Sequence, residues 1–262
     1  MYLRDRLFRR PVALAGPHPG WPLWTPAVDV PAGRVRLRPL TPADGPLWSA
    51  YRVADEHVLR PVEPTVDGSW ADAHSHRAWR ATVGSLRRMA LGGVALPAAV
   101  DLDGRFIGQL TLGNVQHGAV GSCWIGYWVH SAAWNGGVAT AAVALGVDHA
   151  FRDVGLHRVE ATVMETNAAS RRVLATCGFR EEGRLERNLH IDGRWTDHLL
   201  VGVTAEEMPE GAVERLRRAG RLRVAGEAVT GEAARGEATR REAATGEAAD
   251  AAWHRRRPGG ET

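Results

Sequence analysis

The stretch Trp134-Asn135-Gly136-Gly137-Val138-Ala139-Thr140 follows a strand-like run, Ile125-Gly126-Tyr127-Trp128-Val129, and opens a helix-like run from Ala141 to Phe151. Two adjacent glycines let the chain turn tightly and bring backbone N–H groups close to a ligand, and the first helical turn leaves further N–H groups unpaired. A helix N-terminus also carries a partial positive charge, so strand, glycine turn and helix together suit a pyrophosphate. Two common users of such a turn are excluded. A P-loop needs a lysine, and all 33 Lys/Arg residues of this chain are arginine. A dinucleotide fingerprint needs G-x-G-x-x-G with an acidic residue further on, whereas this loop reads G-G-x-A. By themselves, Gly136 and Gly137 fit an ordinary strand-to-helix turn equally well.

A second segment narrows the reading. After another strand-like run, Val159-Glu160-Ala161-Thr162-Val163, come Asn167-Ala168-Ala169-Ser170-Arg171-Arg172-Val173-Leu174 and then Cys177-Gly178-Phe179. A glycine loop opening one helix, then a strand, then N-x-x-S-x-x-V-L-x-x-x-G-F resembles the GCN5-related N-acetyltransferase superfamily. The order W-N-G-G-V-A-T, L-H-R-V-E, N-A-A-S-R-R-V-L, G-F-R-E-E-G and I-D-G-R-W-x-D-H is similar to its RimJ/RimL branch, which acetylates ribosomal-protein N-termini. The resemblance runs from about Arg34 to Glu207.

That resemblance implies acetyl transfer from acetyl-CoA to an amine by direct attack in a ternary complex, without a metal. It places the backbone of Trp128 and Val129 against the pantetheine arm and the N–H groups of Asn135, Gly136, Gly137, Val138, Ala139 and Thr140 around the pyrophosphate. Asn167 and Arg171 are further cofactor contacts, although Asn167 is equally suited to cap the following helix. Many members carry a tyrosine acid where this chain has Leu174. Ser170 matches the serine of the RimJ/RimL pattern and could hydrogen-bond the thiolate, or merely serve the first helical turn. Members of the branch often have a glutamate just before I-G-Y-W, but here the chain reads Ser122-Cys123-Trp124. The remaining base candidates are Glu165, taken with Ser170 as the catalytic pair, and Glu160, His130 and His190. In the hairpin resembling the family's acceptor border, Asp197 could orient substrate, and we favour a structural role for it. An α-amine with a pKa near 7.8 is far more often neutral at pH 7 than a lysine amine near 10.4, a gap worth about 3.5 kcal/mol. A site without an obvious base therefore suits an α-amine.

The elements that must position these groups are legible from periodicity. Val35 to Leu40 alternates like a first strand, and Thr41-Pro42-Ala43-Asp44 signals a helix running to about Ala54. Trp70 to Met89 reads as one further helix. Val94 to Val100 and Arg105 to Leu112 read as a hairpin around Asp101-Leu102-Asp103-Gly104, and Asp192-Gly193 turns between the last two strands. The fold class is α/β: a single acetyltransferase domain with a mixed, mostly antiparallel central sheet flanked by helices. Its expected bounds are 33–207, behind an extended, Pro/Gly-rich leader of residues 1–32 whose Trp21 and Trp24 pack onto the domain. Residues 208–262 are expected to be a helical-to-disordered tail. From Gly226 to Asp250 it repeats G-E-A-x-x, which puts glutamate on no single helical face and almost no bulky apolar residue anywhere.

Composition bounds the rest. The chain has 262 residues, 44% hydrophobic and 24% charged, with a net charge of +3, so its pI near 9.4 reflects an arginine-rich surface and not a nucleic-acid footprint. Cys123 and Cys177 form no disulfide framework and no C-x-x-C metal spacing. The apolar run Val12 to Ala15 is too short for a signal-peptide core, and no segment reaches membrane-spanning length. We expect a cytoplasmic enzyme with a protein N-terminus as acceptor, a homodimer being left open. Two alternatives stand beside it. One is a small-molecule amine acetyltransferase, for which Glu56, Glu63 and Asp67 would form an acidic groove. The other is a catalytically silent acyl-CoA-binding module.

Overall fold

A computed structural model describes residues 18–224; the G-E-A-x-x repeat lies outside them. Nine strands form one sheet: β1 (Val28–Val30), β2 (Gly33–Pro39), β3 (Ala95–Leu102), β4 (Arg105–Gln116), β5 (Ser122–Val129), β6 (Arg158–Val163), β7 (Arg180–Ile191), β8 (Arg194–Thr204) and β9 (Arg223–Val224). Their spatial order is β7-β8-β6-β5-β4-β3-β2-β1-β9. Every neighbouring pair with a given register is antiparallel except β5 and β6, which run parallel. A parallel neighbour requires a crossover, and the helix opened by the glycine loop supplies it.

That helix, α5 (Val138–Arg152), follows α1 (Gly45–Ala54), α2 (Glu56–Leu59), α3 (Trp70–Ala73) and α4 (His76–Leu91), and precedes α6 (Ala168–Thr176) and α7 (Ala212–Arg218). Ala141 to Ala150 of α5 is buried without interruption, as expected of a helix wedged between sheet and neighbouring helices. Gly146 permits the closest approach, since a Cβ there would lie 3.1 Å from Leu110 Cδ1 and 3.2 Å from Ile125 Cδ1. On the other face α1 and α4 pack through Trp48 and Trp79, whose rings are 5.1 Å apart.

Three expectations differ from the fold. The helix read over Trp70–Met89 is two helices. Ser75 is extended and its side chain accepts the N–H of Ala78, while the His74 ring bonds back to the Trp70 carbonyl at 2.8 Å, so capping starts a new helix at His76. The leader is not merely extended: Val28-Asp29-Val30 pairs with β2 on one side and β9 on the other, and His18 and Leu23 are buried. Pro and Gly around it hid a three-residue strand. Trp21 packs against the core, but Trp24 stays 54% exposed beneath the Arg36 guanidinium. Finally, the helix expected past Glu207 belongs to the domain and not to a tail: α7 packs on α5, and β9 pairs with β1. Asp148 of α5 accepts the N–H of Val213 at 3.4 Å and that of Ala212, capping α7, and Ala212 and Leu216 are fully buried. Ala212, Val213 and Leu216 are the three apolar residues of this seven-residue helix, too few to show in the sequence that it would dock.

Candidate active site

β5 and β6 pair only where Ser122, Cys123 and Trp124 face Arg158, Val159 and Glu160. Beyond that point the strands part, and among the described residues nothing pairs with the β6 side of Ile125–Val129. Period-two geometry says which peptide groups face the gap. The His130 N–H donates to the Ile107 carbonyl at 2.9 Å, in register with Trp128 opposite Gln109. In an antiparallel ladder this commits the peptide groups of Gly126 and Trp128 to β4 and turns those of Ile125, Tyr127 and Val129 toward β6. Trp128 is thus a correction: its backbone serves the sheet, and its buried ring lies 5.1 Å from the Arg52 guanidinium. Tyr127, which the sequence reading passed over, is the neighbour whose peptide group turns to the gap. The alternation within I-G-Y-W-V carried that information, but not which of its two phases faced the gap. Val129 keeps its N–H directed there, while its carbonyl accepts from Trp134 Nε1 at 2.8 Å.

At the open end of the gap lie the N-termini of α5 and α6. Asn135 has φ of 61° and Gly137 φ of 82°, both left-handed, so the loop curls and Gly137 becomes the residue preceding α5. The first helical hydrogen bond is Ala141 N–H to the Gly137 carbonyl at 2.9 Å. It leaves the N–H groups of Val138, Ala139 and Thr140 for a ligand. The loop is backed by the β1–β2 turn: Ala32 N–H donates to the Gly136 carbonyl at 3.1 Å, and a Cβ on Gly136 would come within 2.4 Å of Ala32 Cβ. Gly136 is thus required by packing against Ala32.

Asn167 caps α6, its Oδ1 accepting the Ser170 N–H at 3.1 Å. The Ser170 hydroxyl does not cap; it meets the Tyr127 hydroxyl at 2.9 Å. Arg171 gives one guanidinium N–H to the Glu165 carbonyl at 3.2 Å. This bond braces the β6–α6 turn.

The base candidates are engaged elsewhere. Glu165 is half exposed and pairs with Arg184 at 3.2 Å, on the wall of an open depression of about 300 Å³ that Arg194, Trp195 and Asp197 also line. Glu160 pairs with Arg158 at 3.0 Å, and Arg158 pairs in turn with Glu182. His190 packs its ring against Trp195. Asp197 accepts the Arg187 N–H and an Arg184 N–H, each at 2.7 Å, across the register shift between β7 and β8. The Arg187 backbone bond and the Arg184 charge hold its carboxyl below the usual range. This is the structural role expected of it.

His130 donates through Nδ1–H at 2.8 Å to Asp55, which also takes the Ser131 N–H at 2.8 Å and hydroxyl at 2.6 Å, while Tyr51 stacks on the ring at 4.0 Å. Asp55 ends α1 and His130 follows β5, so these bonds anchor α1 to the segment that leads into the glycine loop. Burial opposes the charge on Asp55, but the bonds from Ser131 and His130 outweigh it and hold the carboxyl below its ordinary value. A depressed carboxylate contributes stability above its unfolded pKa and loses it as pH falls through the folded one. Asp55→Ala should therefore lower stability by about 3 kcal/mol at pH 7, as buried donors are orphaned. In urea unfolding this difference should shrink below about pH 4; a difference unchanged to pH 2 would show that packing, not the carboxylate, was lost.

Two segments, one of them the hairpin that the resemblance places at the acceptor border, are joined to each other. The loop after α2 meets the β7–β8 turn through Arg60 to Asp192 at 2.7 Å, Thr65 N–H to the His190 carbonyl at 2.9 Å and Gly193 N–H to Thr65 Oγ1 at 2.9 Å. Of the acids expected to form a groove, Asp67 is exposed and the other two are spent. Glu56 pairs with Arg60 at 3.2 Å, and Glu63 grips Arg52 with both oxygens beneath Trp70. Among the described residues no cluster of three metal-ligating side chains occurs, and no helix is long and apolar enough to cross a membrane.

Known proteins match a chain with this site. Residues 34–180 fit the model of the acetyltransferase (GNAT) domain. The chain belongs to the GNAT acetyltransferase family. Mycobacterium smegmatis RimJ, solved in complex with CoA-disulfide, is 52% identical with a TM-score of 0.78, over 79% of this chain and 99% of that one. The Escherichia coli K12 [ribosomal protein uS5]-alanine N-acetyltransferase is 29% identical over 71% of this chain and 95% of its own. The probable N-acetyltransferase YjcK of Bacillus subtilis is 42% identical over 38% of this chain, and the match spans 56% of that protein's length. This GNAT chain is therefore RimJ/RimL-like, as its motifs indicated, and its donor set suits acetyl-CoA: outward N–H groups for phosphates and free peptide groups for an amide-bearing arm.

Proposed function

We propose that the protein transfers the acetyl group of acetyl-CoA to the α-amine of a protein N-terminus, most simply a ribosomal protein, in the cytoplasm. The opened β5–β6 pair carries the reading. The peptide groups of Tyr127 and Val129 hold the pantetheine arm, the N–H groups from Asn135 to Thr140 hold the pyrophosphate, and the Asn167 amide nitrogen adds a contact that capping leaves free. The neutral amine attacks the acetyl carbonyl; a C–N bond forms, the C–S bond breaks with its electron pair staying on sulfur, the amine releases one proton to water and the thiolate later regains one. Ser170 donates a hydrogen bond to that sulfur.

An α-amine acceptor is supported by two features. No carboxylate among the base candidates stands unpaired, which suits an amine of which about a tenth is already neutral at pH 7. Two of the three acids that would attract a polyamine, Glu56 and Glu63, are neutralised by Arg60 and Arg52. The names of the RimJ and uS5 relatives point the same way. The test is acetyl-CoA consumption by the full chain against ribosomal N-terminal peptides, polyamines and aminoglycosides, with calorimetry of acetyl-CoA alongside. Turnover on peptides is expected. Turnover only on small amines would replace the acceptor, and tight binding with no turnover would make the protein a silent acyl-CoA-binding module.

A further inference from the structure

The contact between Tyr127 and Ser170 has no role in the fold that a phenylalanine could not fill. Tyr127 projects from β5 to the side of the sheet where α5 and α6 lie, while its peptide group faces the gap. Its hydroxyl sits 2.9 Å from Ser170 Oγ and 3.4 Å from the Ser170 carbonyl. The Ser170 N–H is already given to Asn167. Two hydroxyls at that distance share one proton donor, and the phenol, with a pKa near 10 in water, is a far stronger donor than a serine alcohol.

Resting on the acetyl-transfer reading above, we propose that Tyr127 is a positioning residue: its phenol donates to Ser170 Oγ, fixes the serine rotamer, and leaves the serine's own proton directed at the departing sulfur. Tyr127 itself gives up no proton. Burial pushes its phenol well above the ordinary value, with only partial relief from the Ser170 bond. A thiol near 8.5 cannot be protonated favourably by such a group. The pair therefore works as two fixed dipoles in series, aimed where negative charge develops as the C–S bond breaks.

Tyr127→Phe removes one oxygen and keeps the ring. We expect kcat to fall about tenfold, with KM and the calorimetric Kd for acetyl-CoA changed less than twofold. Because Tyr127 acts through Ser170, the double variant Tyr127→Phe with Ser170→Ala should be no slower than Ser170→Ala alone. A second readout needs no turnover and no variant at Tyr127. The chain holds three tyrosines, so a ¹³Cζ-tyrosine spectrum resolves them, and CoA should shift the Tyr127 signal in the wild type but not in Ser170→Ala. Additive losses in the double variant, or an unaltered kcat in Tyr127→Phe while Ser170→Ala is slow, would overturn the proposal and leave the acetyl-transfer reading standing. A shift from CoA that persists without Ser170 would overturn it too. Full activity in Ser170→Ala would instead remove the leaving-group role on which the proposal rests.

Discussion

Gly137→Glu is expected to weaken acetyl-CoA binding at least about 100-fold in calorimetry while the protein still folds. Two effects combine. Gly137 has φ of 82°, where a residue with a side chain costs about 1–3 kcal/mol, and the added Cβ would approach Val30 Cβ to 3.2 Å. The introduced carboxylate then stands where the α5 N-terminus would meet pyrophosphate. At about 5 Å and an effective dielectric near 20, each like-charge pair costs about 3 kcal/mol, which is more than 100-fold in affinity. Gly137→Ala separates the two, since it carries the backbone strain without the charge and should lose far less. Raising the salt should restore part of the affinity of the Glu variant and little of the Ala variant. Unchanged affinity in Gly137→Glu would end the assignment of this loop to the cofactor.

Ser170→Ala should lower kcat about 10–100-fold with little change in acetyl-CoA affinity. The structure sharpens this expectation, because the capping bond of α6 belongs to Asn167 Oδ1 and the Ser170 hydroxyl touches Tyr127. Removing that hydroxyl leaves the helix capped, so thermal stability should hardly change. The loss should appear in kcat and kcat/KM together, the pattern of an interaction made chiefly as charge develops on sulfur. An undiminished kcat would leave Ser170 as a spacer in the first helical turn and move leaving-group stabilisation to the helix N-terminus.

How far these arguments could have been made from the residues alone differs from site to site. The strand before the glycine loop, the helix after it, the Asn167 cap and the Asp192-Gly193 turn all depend on neighbours a few positions apart, and each was legible as periodicity, a capping residue or a φ > 0 requirement. The Trp70–Met89 run shows the limit of even local signals, because the cap at Ser75 competed with an unbroken helical pattern and won. The three-residue β1 carried too little pattern to be separated from the Pro/Gly-rich segment around it, and the glycine loop leans on its turn.

The chemistry of the site was less legible, and for a definite reason. Whether Tyr127 or Trp128 faces the gap depends on the register of β5 against β4, and a shift of one residue exchanges them. Whether Glu165, Glu160 and Glu63 are free carboxylates depends on Arg184, Arg158 and Arg52 arriving beside them. Ser170 meets Tyr127 across 43 residues, and Asp55 meets His130 across 75. Residue types and short spacings were enough to indicate the family, the glycine turn that opens α5 and the cap. Which groups are spent on one another and which stay open to a substrate follows from contacts between distant segments, and those exist only once the sheet has closed in one register.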